Sequence, residues 1–89
     1  MIQHETRILN KTGLHTRPAK ELVKLAGSFE CDIKIMKDTK VANAKSFLNV
    51  ISLGAAKGSV IRITADGKDE KEAMQKIVDL IENKFGEDE

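Results

Sequence analysis

Several large classes of function are excluded by what the chain has little of. Its 89 residues include one cysteine, Cys31, so no internal disulfide is available and no zinc cluster can be assembled from thiolates. Trp and Tyr are absent and Phe occurs three times, too few aromatics for a base-stacking platform. Neither sign of charge predominates: 15 Lys and Arg stand against 14 Asp and Glu, a net +1 that leaves no electrostatic footprint for nucleic acid. The longest charge-free stretch, Ser46 to Ala56, falls far below the about 20 residues of a membrane helix. Met1-Ile2-Gln3-His4-Glu5-Thr6-Arg7 lacks the apolar core of a secretion signal, so the expected location is cytoplasmic, without membrane insertion. At this length one core is expected, a single domain over residues 1–89. A large substrate-enclosing enzyme is excluded, and a small binding, carrier or regulatory module remains.

The near-neutral charge is an average of two unlike parts. Residues 1–45 carry nine basic and five acidic side chains, whereas residues 46–89 carry six and nine. Ile2, His4, Thr6 and Ile8 alternate with Gln3, Glu5 and Arg7, the period of a strand covered on one side, with His4 expected to pack on the sheet. After the turn-rich Asn10-Lys11-Thr12-Gly13, the spacing of Ala19, Leu22, Val23 and Ala26 predicts an amphipathic helix with Pro18 in its first turn, stopped by Gly27. Cys31, Ile33 and Ile35 predict a second strand, and Lys37-Asp38-Thr39-Lys40 a hairpin into a third that ends near Asn43. Ser46 suits the N-cap of a short helix through Leu53, closed by Gly54. Ile61, Ile63 and Ala65 mark the last strand. Asp69 with Glu72 resembles a capping box opening a final helix, whose stripe is Ala73, Met74, Ile77, Leu80 and Ile81. Glu87-Asp88-Glu89 reads as a frayed tail.

The order βαββαβα around a central hairpin points to a split βαβ plan in the α+β class, with one sheet face under helices and the other solvated. Polar alternation along the strands favours an antiparallel sheet.

The chemistry is concentrated in Gly13-Leu14-His15-Thr16-Arg17-Pro18-Ala19. His15 falls where the turn meets the first helix, beside the unpaired N–H groups of Thr16 and Arg17, and a helix N-terminus offers outward donors and a positive dipole end. Arg17 adds a guanidinium suited to phosphate oxygens. An imidazole nucleophile beside an anion pocket is what a transient phosphohistidine needs: the ring attacks phosphorus while the amides and Arg17 hold the oxygens. The same residues also fit a surface or capping histidine beside a solvated arginine.

This heptapeptide resembles the active-site motif of the HPr family, the histidine-containing phosphocarriers of the bacterial phosphoenolpyruvate:sugar phosphotransferase system. Asn43-Ala44-Lys45-Ser46, the apolar helix after it and Ser52-Leu53-Gly54 resemble the family's second motif, around a regulatory serine. Length, element order and the late Gly67-Lys68-Asp69-Glu70 also match, so the resemblance spans essentially the whole chain. It implies an open-faced β-sandwich, a four-stranded antiparallel sheet with three helices on one face. It further implies that His15 accepts a phosphoryl group on Nδ1 from phosphorylated enzyme I and passes it to the A domains of sugar permeases. Thr16 and Arg17 would bind the phosphoryl group. No cofactor and no metal are implied, and the carrier is expected to be a monomer.

Phe47, Leu48, Val50, Ile51 and Leu53 crowd a helix of about two turns, which can bury only some of them; the resemblance makes Phe47, Leu48 and Ile51 a docking patch. Arg17, Lys20 and Lys24 form a basic stripe able to steer acidic partners. The resemblance also makes Ser46 the target of an HPr kinase/phosphorylase. Phe47-Leu48-Asn49 departs from the Ile-Met-Gly of Gram-positive members, and Thr16 with a nearby Phe is similar to enteric members, in which that kinase is absent. Cys31 reads as a small semi-buried apolar residue. The alternatives are a regulatory paralogue in the nitrogen-related branch and, in a different class, a small ligand-binding module on a split βαβ sheet.

Overall fold

In the computed structural model, which describes residues 1–87, the alternating segments form the strands β1 (Ile2–Arg7), β2 (Asp32–Lys37), β3 (Lys40–Asn43) and β4 (Val60–Asp66). They join into one antiparallel sheet of order β1-β4-β2-β3. Period two then sorts the side chains. Ile33 and Ile35, Ala42, and Ile61, Ile63 and Ala65 turn inward and are buried. Gln3, Glu5, Arg7, Lys34 and Arg62 are exposed, with Glu5 opposite Arg62 and their charges 3.7 Å apart.

Three helices, α1 (Thr16–Gly27), α2 (Phe47–Ser52) and α3 (Glu70–Glu82), cover the inward face. Leu22 of α1, Val50 of α2 and Ile77 and Ile81 of α3 are fully buried against the sheet isoleucines in one core cluster. Each such side chain removed from water contributes about 1.5–3 kcal/mol. No helix among the described residues is long and apolar enough to cross a membrane.

Four local expectations need correction. Gly27 does not stop α1 by a left-handed turn: the helix includes it, and Ser28 caps the end, its Oγ donating to the Leu25 carbonyl at 2.6 Å. Asp69 and Glu72 do not form a capping box. Asp69 makes no side-chain cap bond to its own helix, because its carboxylate accepts the N–H groups of Glu30 and Cys31, both at 2.9 Å, and ties α3 to the start of β2. Those bonds, with burial opposing them, hold the Asp69 carboxyl below its ordinary range. Glu70 takes over the first turn, accepting from the Gly67 N–H at 3.0 Å. His4 lies on the helix-side face of β1, but β1 is an edge strand and its ring is 44% exposed, with Nε2 4.0 Å from the Glu82 carboxylate. Glu87 is no frayed tail. After α3 a short 3-10 turn, Lys84–Gly86, folds the chain back and buries Phe85 at 2% exposure despite its left-handed φ of 54°. Glu87 is thereby held by side chains from the start of the chain, while Asp88 and Glu89 lie outside the described residues.

Candidate functional site

The site is built on the segment from Asn10 to Arg17. The Gly13 N–H donates to the Asn10 carbonyl at 3.1 Å, closing a turn, and the Leu14 N–H donates to the Ala55 carbonyl at 2.8 Å, crossing to the segment after α2. Gly13 has φ of 66°, and a Cβ there would sit 2.5 Å from the Ala55 oxygen and 2.8 Å from the Ala56 Cα. Only glycine meets both demands. Leu14 is buried, which anchors the turn and leaves the next residue at the surface.

His15 is that residue. It is the N-cap of α1 in extended conformation, φ −80° and ψ −174°, and its ring makes no capping hydrogen bond. The first intrahelical bond runs from the Ala19 N–H to the His15 carbonyl at 2.9 Å, so the amides of Thr16 and Arg17 come before the helix begins to use its donors. Pro18, with no N–H to place, is buried at the third helical position.

His15 shares an open cleft of about 450 Å³ with Lys11, Thr12, Arg17, Pro18 and Glu87. Arg17 is held between two carboxylates: Nη1 donates to Glu21 Oε1 at 2.8 Å, the i, i+4 pair on α1, and Nη2 donates to Glu87 Oε2 at 3.1 Å. Glu87 Oε2 also accepts from the Thr12 hydroxyl at 2.7 Å and from Asn10 Nδ2 at 3.3 Å. The Thr12 bond is the main reason the Glu87 carboxyl lies below its ordinary range, with Asn10 and Arg17 adding to it against partial burial. The guanidinium is thus parked on an anion at the mouth of the cleft.

The other singled-out residues lie nearby on the same helical layer. Lys20 and Lys24 are exposed on α1, in line with Arg17. In α2, which packs beside α1, Leu48 is 75% exposed, Phe47 and Ile51 are partly buried, and Val50 belongs to the core, as does Leu53 just past the helix end. Ser46 is the N-cap of α2, its Oγ accepting the Asn49 N–H at 3.4 Å. Cys31 is buried and its thiol is pushed up to about 11, first by burial and then by Asp69. Among the described residues no group of three or more His, Cys, Asp or Glu could hold a metal ion.

Thr12 and Glu87 line this cleft and Asn10 is buried against both, none of the three being singled out from the sequence. No local pattern carries that information, because Glu87 meets Asn10 and Thr12 only once the 3-10 turn has folded back across α1.

Comparison with known proteins agrees with this geometry. Residues 2–83 match the family model described as the PTS HPr component phosphorylation site. The phosphocarrier protein HPr of Cupriavidus necator is 43% identical over 89 residues, covering all of both chains. Among solved structures, an HPr from Thermoanaerobacter tengcongensis superposes with a TM-score of 0.97 at 47% identity, covering all of both chains. An HPr dimer from the same organism superposes with a TM-score of 0.79 at 48% identity, covering 98% of this chain and 100% of the other. With a family model spanning nearly its whole length and relatives matched end to end, the chain belongs to the HPr family of phosphocarrier proteins of the phosphotransferase system.

Proposed function

We propose that the protein relays a phosphoryl group from enzyme I, charged by phosphoenolpyruvate, to the A domains of sugar permeases through a phosphohistidine at His15. The observation that carries this reading is an exposed N-cap imidazole with no capping bond, set at a helix N-terminus in one cleft with Lys11 and Arg17. In the step, the bond from phosphorus to the donor breaks as the bond to His15 Nδ1 forms. The transferring oxygens meet the Thr16 and Arg17 amides and the Arg17 guanidinium, which exchanges a carboxylate partner for phosphate. In transfer to the permease domain the bond from Nδ1 to phosphorus breaks as a bond from phosphorus to the permease acceptor forms, so the protein is a carrier and not a catalyst.

The open cleft suits this role, because the partner must reach phosphorus directly. Leu48, Phe47 and Ile51 supply an apolar docking patch, and Lys20 and Lys24 a basic rim that steers acidic partners. A carrier that dissociates after each transfer works as a monomer in the cytoplasm, a single domain over residues 1–89. Light scattering tests this against the dimeric state named for the T. tengcongensis structure.

Intact-mass analysis after incubation with phosphoenolpyruvate, Mg²⁺ and a sugar-type enzyme I tests the relay. One acid-labile phosphoryl group on wild type and none on His15→Ala is the expected result. No addition to wild type refutes it, and addition from a nitrogen-type enzyme I alone moves the protein to the regulatory branch.

Ser46 supports a second, regulatory reading. Its Oγ already faces the first turn of α2, where phosphate would replace the hydroxyl on the same donors while adding charge beside Phe47 and Leu48. Incubation with an HPr kinase and ATP should add one phosphoryl group to wild type and none to Ser46→Ala. An unmodified wild type removes this regulation.

A further inference from the structure

Asn10 is fully buried and is the one buried polar residue among those described. Its Oδ1 has no hydrogen-bond partner. A site kept for packing alone would hold an apolar side chain of the same size, since an unpaired buried oxygen is unfavourable. What asparagine supplies and leucine cannot is the Nδ2 amino group, and it is fully used. Nδ2 donates to the Gly13 carbonyl at 2.7 Å and reaches Thr12 Oγ1 and Glu87 Oε2, each at 3.3 Å.

Two of these three targets, the Gly13 carbonyl and Glu87, adjoin the reacting groups. The Gly13 carbonyl and the Leu14 N–H belong to one peptide plane, and the far side of that plane is fixed by the Leu14 bond to Ala55 at 2.8 Å. The Gly13–Leu14 plane, one peptide before His15, is therefore pinned from both ends. The Glu87 carboxylate, 13% exposed, is the partner of Arg17 Nη2. Because the amide is planar, its two N–H directions are fixed relative to each other, and movement of the turn moves Glu87.

We propose that Asn10 is a positioning residue that couples the His15 turn to the Glu87 carboxylate and so sets where Arg17 waits across the cleft. The role rests on the relay reading, and it acts before transfer by limiting the rotamers of a long side chain that must meet phosphate at a defined place.

The test is Asn10→Leu, which fills the space, removes both donors and removes the unpaired oxygen. With enzyme I and phosphoenolpyruvate, kcat for the carrier should fall about tenfold while KM stays within about twofold, because the docking patch on α2 is untouched. The ¹H–¹⁵N signal of the Arg17 side chain should shift or broaden. In a Glu87→Ala background the same substitution should change kcat by less than about twofold, the non-additivity of two residues acting through one contact. An unchanged Arg17 signal with unchanged kcat, or fully additive losses, would overturn the proposal. Should Asn10→Leu not fold, Glu87→Gln runs the test in reverse: the Asn10 side-chain amide and the Leu14 backbone amide should both shift, and unmoved signals refute the coupling. If wild type accepts no phosphoryl group the relay reading fails, and the Arg17, Asn10 and Leu14 signals still decide whether the coupling exists.

Discussion

Gly13→Ala is the substitution the structure prices most directly. The left-handed φ of 66° costs an L-residue about 1–2 kcal/mol. The new methyl would also sit 2.5 Å from the Ala55 oxygen and 2.8 Å from the Ala56 Cα, both backbone atoms that cannot rotate away. Relieving that clash resembles overpacking, about 1–3 kcal/mol. The two together come to about 2–5 kcal/mol, a large share of the about 5–15 kcal/mol that holds a small domain folded. At about 4–8 °C per kcal/mol for a chain of this size, the melting temperature should fall by about 8–40 °C. Gly54→Ala is the matched control: its φ is 63°, with nothing within 4 Å of the new methyl, so only the backbone cost applies. Urea unfolding followed by circular dichroism on wild type and both variants gives the difference. If Gly13→Ala is no more destabilising than Gly54→Ala, the close approach of the turn to Ala55 and Ala56 has no energetic weight and the reasoning fails.

Other outcomes follow from single contacts. Ser46→Ala removes the N-cap of α2 and should cost about 1 kcal/mol in urea unfolding; an unchanged midpoint would mean the Asn49 bond contributes nothing. Asp69, Glu70 and Glu87 all have carboxyls lowered on folding, so their stabilisation is complete above the unfolded values of about 4 and is lost as pH falls through the lower folded ones. Asp69→Asn should flatten the decline in urea midpoint below pH 4, and a variant with the same acid profile as wild type contradicts this. The Cys31 thiol, at about 11, should react with an aromatic disulfide reagent at pH 8 far more slowly in the native protein than in urea. Equal rates would show that the thiol is neither buried nor held protonated.

The elements legible in the sequence are those fixed by contacts within a few residues or by strict period two. The alternation of Ile61, Ile63 and Ala65, the turn at Lys37–Lys40 and the Ser46 cap each follow from neighbours in the chain. The errors share a cause. Asp69 stands at the right spacing before Glu72, but the N–H groups of Glu30 and Cys31 compete for its carboxylate and win, and that competition is invisible along the chain. Gly27 and Gly54 look like equivalent helix stops, yet only Gly54 has positive φ. At the site, His15, Thr16 and Arg17 were readable because one helix start supplies all three. Asn10, Thr12 and Glu87 were not, because their meeting depends on Phe85 entering the core from a left-handed backbone. Burial of its ring offsets that strain.

The strand order β1-β4-β2-β3 places the last strand made inside the sheet and the first one at its edge. During synthesis β1 emerges without its only partner: Ile2 must wait for Ala65, and Arg7 for Val60. Until β4 arrives, the β2–β3 hairpin is the only strand pairing possible, and an isolated hairpin is marginal at best. Closure of this long loop, more than helix formation, is therefore the step expected to limit the folding rate. The nascent carrier has no sheet on which to seat α1, so His15 acquires its setting only after the final third of the polypeptide has been made.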